Sequence, residues 1–318
     1  MTSYSVENEY QGMIDTYEKA GGDSSALRSK DIAKLVIHKN QVLSSDGVAG
    51  IQIETEETGN GVNVYFLVKE GMKIEHPVHL CFGVLPREGR QEIILKMNVQ
   101  DNSEINVIAH CIFPNAVKVI HKMDADIEIG NNARFNYKET HYHGDFGGIE
   151  VIPTARVTLG EKALYENTFS LTQGCVGKLD FNYEISCGAR SVAELIAKVY
   201  GKKDDTIKIA EKVNLNGNSA RSLIKTRVVL RDRAKAEIIG ETYGNAPYTR
   251  GHVDCIELVN GTEAVAKAIP IVEVTNEKAK VTHEAAIGSI DRRQIETLMA
   301  RGLDENEAVD VIVRGLLR

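Results

Sequence analysis

A phrase that recurs about every thirty residues constrains the fold of this 318-residue chain more than any other feature. In each copy, a segment of alternating apolar and polar residues ends in a polar or glycine turn, and a small alanine opens the next segment. Repeats of this length predict the stacked coils of a solenoid, in which each corner has room only for a small side chain. The turn alanines are Ala133, Ala163, Ala189, Ala220, Ala234 and Ala264, with separations of 30, 26, 31, 14 and 30 residues.

The alternation extends from about Val48 to Thr275, which predicts a mainly β protein with a β-solenoid core. An antiparallel sandwich is the rival architecture, because its turns are also rich in Asn and Gly. Apolar residues at helical spacing predict helices in the first forty residues, with a second stripe at 32–36. We therefore divide the chain into an N-terminal helical segment at 1–45, a β core at 46–288 and a C-terminal helical hairpin at 289–318.

The predicted hairpin has clear capping signals. Asp291 is placed to cap the first helix and Gly302 to end it, while Asp304 with Glu307 forms a capping box for the second helix. Each helix carries an apolar stripe, and Val311 belongs to the second one. Two short amphipathic helices cannot bury both stripes against each other. We expect the hairpin to pack on the solenoid end, on a partner, or on both.

Composition narrows the classes of function. The formal net charge is −7 and no long basic block is present, so nothing in the electrostatics favours nucleic acid. No apolar run approaches the ~18 residues of a membrane span, and no export signal opens the chain. Five cysteines without CxxC spacing predict reduced thiols in the cytoplasm. The Gly-rich loop at 174–178 is too short for a Walker A motif, so we expect no nucleotide hydrolysis by this chain.

Cys255 and the pair His283-Glu284 are the strongest candidates for chemistry. A separation of 29 residues between Cys255 and Glu284 is close to one repeat, and it predicts stacking on neighbouring coils at ~4.8 Å. A thiolate, a carboxylate and an imidazole at that distance can share a soft or borderline metal ion. The simpler alternatives are a buried, inert cysteine and an exposed polar pair.

Two other motifs are weaker metal candidates. The HxHxD motif of His141, His143 and Asp145 lacks the histidine that usually follows the aspartate in hydrolases, and we predict that its histidines line an exposed face. His110 and Cys111 are adjacent on a strand, so their side chains are expected to point to opposite faces and to fill space.

The phrases GHVDC, AIPIVEVTNEKAKVTHEAAIGSI and IETLMARGLDENEAVDVIVRG fall between residues 250 and 315. They resemble the C-terminal part of the SufB/SufD family, the scaffold proteins of iron–sulfur cluster assembly. By this resemblance Cys255 falls on the cysteine implicated in cluster assembly in SufB-type members, and His283 and Glu284 fall on the imidazole and acidic positions. Thr282 departs from the pattern, since many relatives carry an acidic residue there. The short chain is similar to a minimal, archaeal-style form that pairs with itself.

The resemblance implies a right-handed parallel β-helix flanked by helices, which carries a transient iron–sulfur cluster. It also implies a SufC-type ABC ATPase as partner, a homodimer joined through the β-helix ends, a sulfur donor and apo acceptor proteins. ATP hydrolysis would belong to the partner, so the chain itself is expected to be a scaffold and not an enzyme. Whether a flavin is involved stays open, and the sequence gives no support for one. The residues implied in ATPase docking are Leu298, Met299, Arg301, Gly302 and Leu303.

Two alternative functions stay open at this point. One is a non-catalytic, SufD-like adaptor for the ATPase, against which the presence of Cys255 counts. The other is a β-solenoid enzyme acting on carbohydrate or acyl groups, with Asp124, Asp126 and Glu128 on one strand, although a solvated face explains these residues more simply. The sequence also leaves open whether any of Cys81, Cys111, Cys175 or Cys187 relays sulfur.

Overall fold

The computed structural model describes residues 3–59 and 61–317. The predicted segments also include residues 1, 2, 60 and 318, which lie outside the described residues. The described chain is a β-solenoid of about eight turns with helices at both ends, which confirms the predicted fold class. The division into three segments at 45 and 288 stays a prediction.

The solenoid consists of two large sheets that share one core. The strands are β1 (Lys34–His38), β2 (Gln41–Asp46), β3 (Ile51–Glu57), β4 (Val62–Val68), β5 (Val78–Gly83), β6 (Glu88–Val99), β7 (Glu104–Phe113), β8 (Lys118–Ile129), β9 (Arg134–His143), β10 (Ile149–Leu159), β11 (Leu164–Gln173), β12 (Lys178–Cys187), β13 (Val192–Gly201), β14 (Thr206–Leu215), β15 (Arg221–Arg231), β16 (Lys235–Gly244), β17 (Arg250–Asn260), β18 (Val265–Val274) and β19 (Lys280–Ser289). Sheet A has the order β19-β17-β15-β13-β11-β9-β7-β5-β1-β2 and sheet B the order β18-β16-β14-β12-β10-β8-β6-β4-β3. Each coil therefore adds one strand to each sheet.

Pairing is parallel throughout, apart from the antiparallel pairs β1–β2 and β3–β4 at the N-terminal end. In the long strands of the enclosed coils, from β6 to β17, the inward positions are buried and most outward ones are half-buried or exposed, as the alternation in the sequence predicts. The final strands β18 and β19 have no buried residue. The interior is filled with aliphatic residues and with aromatic rings in contact: the rings of Phe181 and Tyr183 are stacked, and that of Phe169 meets Phe181 edge to face. Parallel strands that pack in this way bury the inner face of each coil against its neighbours.

The corners of the coils explain the recurring alanine. Ala133 and Ala163 are fully buried, and each follows a residue in the left-handed region, Asn132 and Lys162, with φ of 56° at both. The amide of Asn132 donates to the carbonyl of Glu161 on the next coil at 2.8 Å, so the turns themselves form a ladder. Two of the six predicted positions are only half-buried: Ala189 lies within the turn, where Ser191 occupies the buried corner instead, and Ala264 lies in the final, open coil.

The N-terminal region is only partly helical. The helices α1 (Ser3–Lys19) and α2 (Ser24–Arg28) match the prediction, but the apolar stripe at 32–36 runs into strand β1. All five residues of β1 are buried, because Val36 faces α1 while Leu35 and Ile37 face the solenoid interior. A short apolar run buried on both faces has no clear period, so the helical prediction was wrong here.

The C-terminal hairpin consists of α3 (Arg292–Met299) and α4 (Glu305–Leu316). The predicted caps are confirmed, since Asp291 accepts from the amide of Arg293, and Asp304 and Glu307 complete a capping box. The hairpin packs on the outer face of sheet A and not on the solenoid end, in one cluster with Tyr200, Val229 and Leu258. The buried face of α4 is formed by Ala308, Val309 and Val313, whereas Val311 points to solvent.

The two ends of the solenoid differ. Among the described residues, the final strands β18 and β19 are hydrogen-bonded to another strand on one side only, so the C-terminal coil is open. At the other end the outermost strands are the antiparallel β2 and β3. No helix in the described ranges is both long and apolar enough to cross a membrane.

Candidate functional site

Cys255 lies on the inner face of β17, one coil below the open end. It is 2% exposed, with Val253 and Glu257 buried on the same face of the strand. In the ladder of sheet A, Thr226 is its partner on β15 and Ala285 its partner on β19. Cys255 thus occupies the last fully enclosed rung of sheet A, as the alternation around it predicts.

The predicted stacking of Cys255 on Glu284 is wrong by one residue. Glu284 pairs with Asp254, and the spacing between paired positions of β17 and β19 is therefore 30 residues and not 29. A shift of one residue moves a side chain to the other face of a sheet. Glu284 accordingly lies on the outer face, where Arg227 on β15 forms an ion pair with Asp254.

His283 is brought to the same face as Cys255. It pairs with Val253, so it belongs to the inner side of β19, and it is exposed because no coil covers this strand. Thr282, the position that departs from the SufB pattern, is on the outer side and is hydrogen-bonded to Nδ1 of His252 at 2.9 Å. Cys255 and His283 therefore share the inner face of sheet A, whereas Glu284 and Asp254 lie together on its outer face.

Two buried carboxyl groups near Cys255 were missed by the sequence reasoning. Glu257 is fully buried on the inner face of β17, and neither of its carboxylate oxygens has a hydrogen-bond partner. Glu211 enters from β14 in sheet B and accepts a hydrogen bond from Oγ1 of Thr226 at 3.0 Å. Glu257 could have been found, because it lies two residues after Cys255 on a strand whose side chains alternate.

Burial controls the protonation of this site. Burial, together with the nearby carboxylates of Glu257 and Glu211, raises the pKa of the Cys255 thiol to about 12. Burial also raises the pKa of Glu211 and of Glu257, each to about 7. The thiol is thus protonated in the free protein, and any metal that binds its sulfur must displace that proton.

The predicted ATPase-docking residues divide into two groups. Leu298 and Leu303 are half-buried and pack into the cluster that holds the hairpin on the solenoid. Met299, which is 38% exposed, lies with Arg301 and Gly302 at the exposed turn of the hairpin. Only the second group presents a free surface in this chain.

The remaining motifs have structural explanations. The amides of Val176 and Gly177 in the Gly-rich loop bind the carboxylate of Asp205, at 2.9 and 2.8 Å, which occupies the place a phosphate would take. Asp124 and Asp126 on the outer face of sheet B form ion pairs with Arg156. These contacts favour a solvated face over a glycan or acyl site.

The HxHxD prediction was wrong in its placement. His141 and His143 are buried inside the solenoid, and Asp145 is exposed outside it. For His110 and Cys111, the prediction that the two side chains point to opposite faces is confirmed, because Cys111 points inward to Glu139 whereas His110 packs outside against the ring of Tyr17, with ring centres 4.4 Å apart.

Comparison with known proteins agrees with this fold. The profile described as SUF system FeS cluster assembly, SufBD core domain, matches residues 92–316. An iron–sulfur cluster assembly SufBD family protein of Methanocaldococcus jannaschii is 39% identical over 98% of this chain and 99% of its own length. A protein of the same family from Pyrococcus horikoshii is 36% identical, over 97% and 94% of the two chains. The iron–sulfur cluster assembly protein SufB of Bacillus subtilis is 22% identical over 99% of this chain and 68% of its own.

The family profile covers more than half of the chain, and the two archaeal relatives match nearly all of it. The resemblance first noted in the C-terminal phrases thus extends over the solenoid. This chain belongs to the SufBD family of iron–sulfur cluster assembly proteins.

Proposed function

We propose that this chain is the scaffold subunit on which a nascent iron–sulfur cluster is built before transfer to an acceptor protein. The proposal depends most on one observation: Cys255 and His283 share the inner face of the last two strands of sheet A, beside the open end of the solenoid. A soft sulfur and a borderline nitrogen at such a position suit iron. Membership of the SufBD family supports the same cargo.

Each side chain has a distinct role in this proposal. Cys255 supplies the thiolate ligand and releases its proton to a neighbouring carboxylate, for which Glu257, with a pKa raised to about 7 by burial, is suited. His283 supplies a second ligand from the exposed strand. Glu284 lies on the outer face of that strand, so it would bind a metal held between two subunits. A cluster held partly by carboxylate is labile, which suits a cargo that has to be passed on.

A second copy of the chain is the partner we propose for the open end. The unpaired sides of β18 and β19 leave backbone amides and carbonyls free to bond another strand. Large apolar side chains are exposed on these two strands, and a second subunit would cover them: Val265, Ile271, Val274 and Ile287. Such a homodimer would bring two copies of the Cys255 site to one seam.

Replacing Cys255 by Ser tests the cluster site directly. After anaerobic reconstitution with ferrous iron and sulfide, we expect the variant to hold less than about a tenth of the iron and sulfide of the parent, since an alcohol is a poor ligand for iron compared with a thiolate. The readouts are the visible absorption of the cluster and its iron and sulfide content. Cys187→Ser is the matched control, because Cys187 is equally buried in the same core.

The two variants together decide the assignment. Loss of the cluster in Cys255→Ser, with retention in Cys187→Ser, supports the proposed site. Equal cluster content in the parent and in Cys255→Ser would refute the role of Cys255. A parent that binds its ATPase but never acquires a cluster would favour the adaptor function.

We further propose that the exposed turn of the hairpin binds a SufC-type ABC ATPase, and Met299→Glu tests this. A charge placed in an apolar contact is expected to weaken binding at least tenfold, because it would be desolvated without a partner. Val311→Glu is the control, since Val311 is exposed to the same degree on the same hairpin, 39% against 38% for Met299. Equal affinities of the two variants for the ATPase, measured by calorimetry, would argue against this surface.

The cytoplasmic location stays a prediction.

A further inference from the structure

We propose that the solenoid holds a second metal site, separate from Cys255, in which Cys111, Glu139 and His141 bind one divalent transition metal ion. The three side chains are enclosed in the N-terminal half of the core. Their chemistry, a thiol, a carboxyl and an imidazole, is that of Zn²⁺ or Fe²⁺ sites. No part of the cluster-building proposal uses these residues.

The backbone places the three groups together. Cys111 on β7 and His141 on β9 are partners in the ladder, and Glu139 precedes His141 by two residues on the same face. Sγ of Cys111 is 3.5 Å from Oε1 of Glu139, and that oxygen is 2.7 Å from Nε2 of His141. All three ligand atoms lie within 4.8 Å of one another. Ligands about 2.0–2.3 Å from a tetrahedral ion are roughly 3.3–3.8 Å apart, so small movements suffice.

A hydrogen-bonded chain fixes the tautomer that a metal requires. The carbonyl of Cys175 can only accept, so Nδ1 of His143, 3.0 Å away, must carry its proton. In a neutral imidazole the other ring nitrogen, Nε2, is then an acceptor. Nδ1 of His141, at 3.3 Å, then donates to it. The lone pair on Nε2 of His141 consequently points at Glu139, which is how second-shell partners orient metal-binding histidines.

Two further atoms in this part of the core have no hydrogen-bond partner. Oε2 of Glu139, a residue only 2% exposed, is unpaired, and so is Nδ1 of the fully buried His121. His121 comes from β8 in sheet B, and its ring centre is 6.0 Å from that of His141. A buried polar group without a partner costs about 1–3 kcal/mol. Bound metal would remove that cost for Glu139. His121 lies outside the group of three and would have to move toward it to add a fourth ligand from the opposite sheet.

The charges of the proposed site balance. When the ion binds, two protons pass to solvent: the thiol proton of Cys111 and the proton of the hydrogen bond between Glu139 and Nε2 of His141. The metal then bonds to the Cys111 thiolate, the Glu139 carboxylate and Nε2 of His141. Two negative ligands and a neutral imidazole around a doubly charged cation give no net charge, which a low-dielectric interior tolerates. The rings of Phe113 and Phe169 lie against His121 and His141, at 5.0 and 4.9 Å, and exclude water.

Enclosure decides how the ion enters. Cys111, Glu139 and His141 are each 2% exposed or less, so the ion has to be bound as the coils close during folding. The test therefore starts from the full chain carrying Cys255→Ser, unfolded with a chelator and refolded anaerobically with Co²⁺ as the probe. We expect about one tightly held ion per chain, a sulfur-to-cobalt charge-transfer band in the near ultraviolet, and a melting temperature above that of protein refolded without metal.

Variants in the same background identify the ligands. Cys111→Ala is expected to abolish the charge-transfer band, and Glu139→Gln to weaken Co²⁺ binding by at least about tenfold while keeping the shape of the side chain. Cys187→Ala, a change of the same kind elsewhere in the core, should leave the charge-transfer band and the affinity for Co²⁺ unchanged. Retention of the band in Cys111→Ala, or rapid removal of the ion from folded protein by a chelator, would overturn the proposal. Because every chain lacks the Cys255 thiol, the outcome is independent of cluster assembly.

Discussion

Glu211→Gln is expected to become more stable relative to the parent protein as the pH rises from about 5 to about 8, by about 3 kcal/mol. The pKa of Glu211 is raised by burial from 4.5 to about 7 in the folded protein. The stabilising effect of its protonated form is complete below pH 4.5, the value for the unfolded chain, and is lost as the pH rises through 7. Glutamine does not ionise, so the variant avoids this loss and can still accept the hydrogen bond from Thr226.

The measurement is urea unfolding of the variant and the parent at matched pH values. The free energy of unfolding of the parent is subtracted from that of the variant, so that the contributions of the buried histidines cancel. Glu237→Gln is the control, since Glu237 is on the surface with Lys267 and has a lowered pKa. The stability of Glu237→Gln relative to the parent should not rise over this range of pH. A flat curve for Glu211→Gln would mean that its carboxyl is ionised at little cost, and that the interior near Cys255 is wetter than the packing indicates.

Gly174→Ala is expected to lower the free energy of unfolding by roughly 3–5 kcal/mol, whereas Gly71→Ala should cost about 1 kcal/mol. Both glycines have left-handed backbone angles, with φ of 75° and 71°. A Cβ on Gly71 would meet nothing within 4 Å, but one on Gly174 would overlap the carbonyl oxygen of His143 on the preceding coil. The difference between the variants therefore isolates the close approach of two coils from the strain of the backbone.

Denaturant unfolding of the two variants gives this difference directly. Equal losses of stability would mean that the coils at Gly174 can move apart without cost. The larger loss that we expect for Gly174→Ala would show that the loop carrying Cys175 is held tightly against the preceding coil. The carbonyl of Cys175 in this loop orients His143.

The overall fold could be predicted because its two signals are local and repeated. Alternation over about ten residues defines each strand, and a small residue near every thirtieth position defines each coil. β1 escaped this reasoning because its apolar residues contact α1 on one side and the core on the other. Burial on both faces erases the period from which a strand is recognised.

The candidate site was harder to predict, because it depends on register. Alternation alone places Cys255 inward, but the length of a particular corner decides which residue of β19 lies beside it. Corners differ by a residue or two, and one residue separates His283, which shares the face of Cys255, from Glu284, which does not. The histidines at 141 and 143 were misplaced for a related reason, since polarity favours a solvent face and the sequence does not reveal their buried partners Glu139 and Cys175.

The asymmetry of the two solenoid ends bears on how large an assembly can grow. A β-solenoid with compatible edges at both ends would add subunits head to tail and form a filament. Here the antiparallel strands β2 and β3 occupy one end, so within the described ranges a parallel edge of the kind left by β18 and β19 is presented only at the other end. In the proposed homodimer, two chains meeting through that end would consume both parallel edges, and growth would stop at the pair.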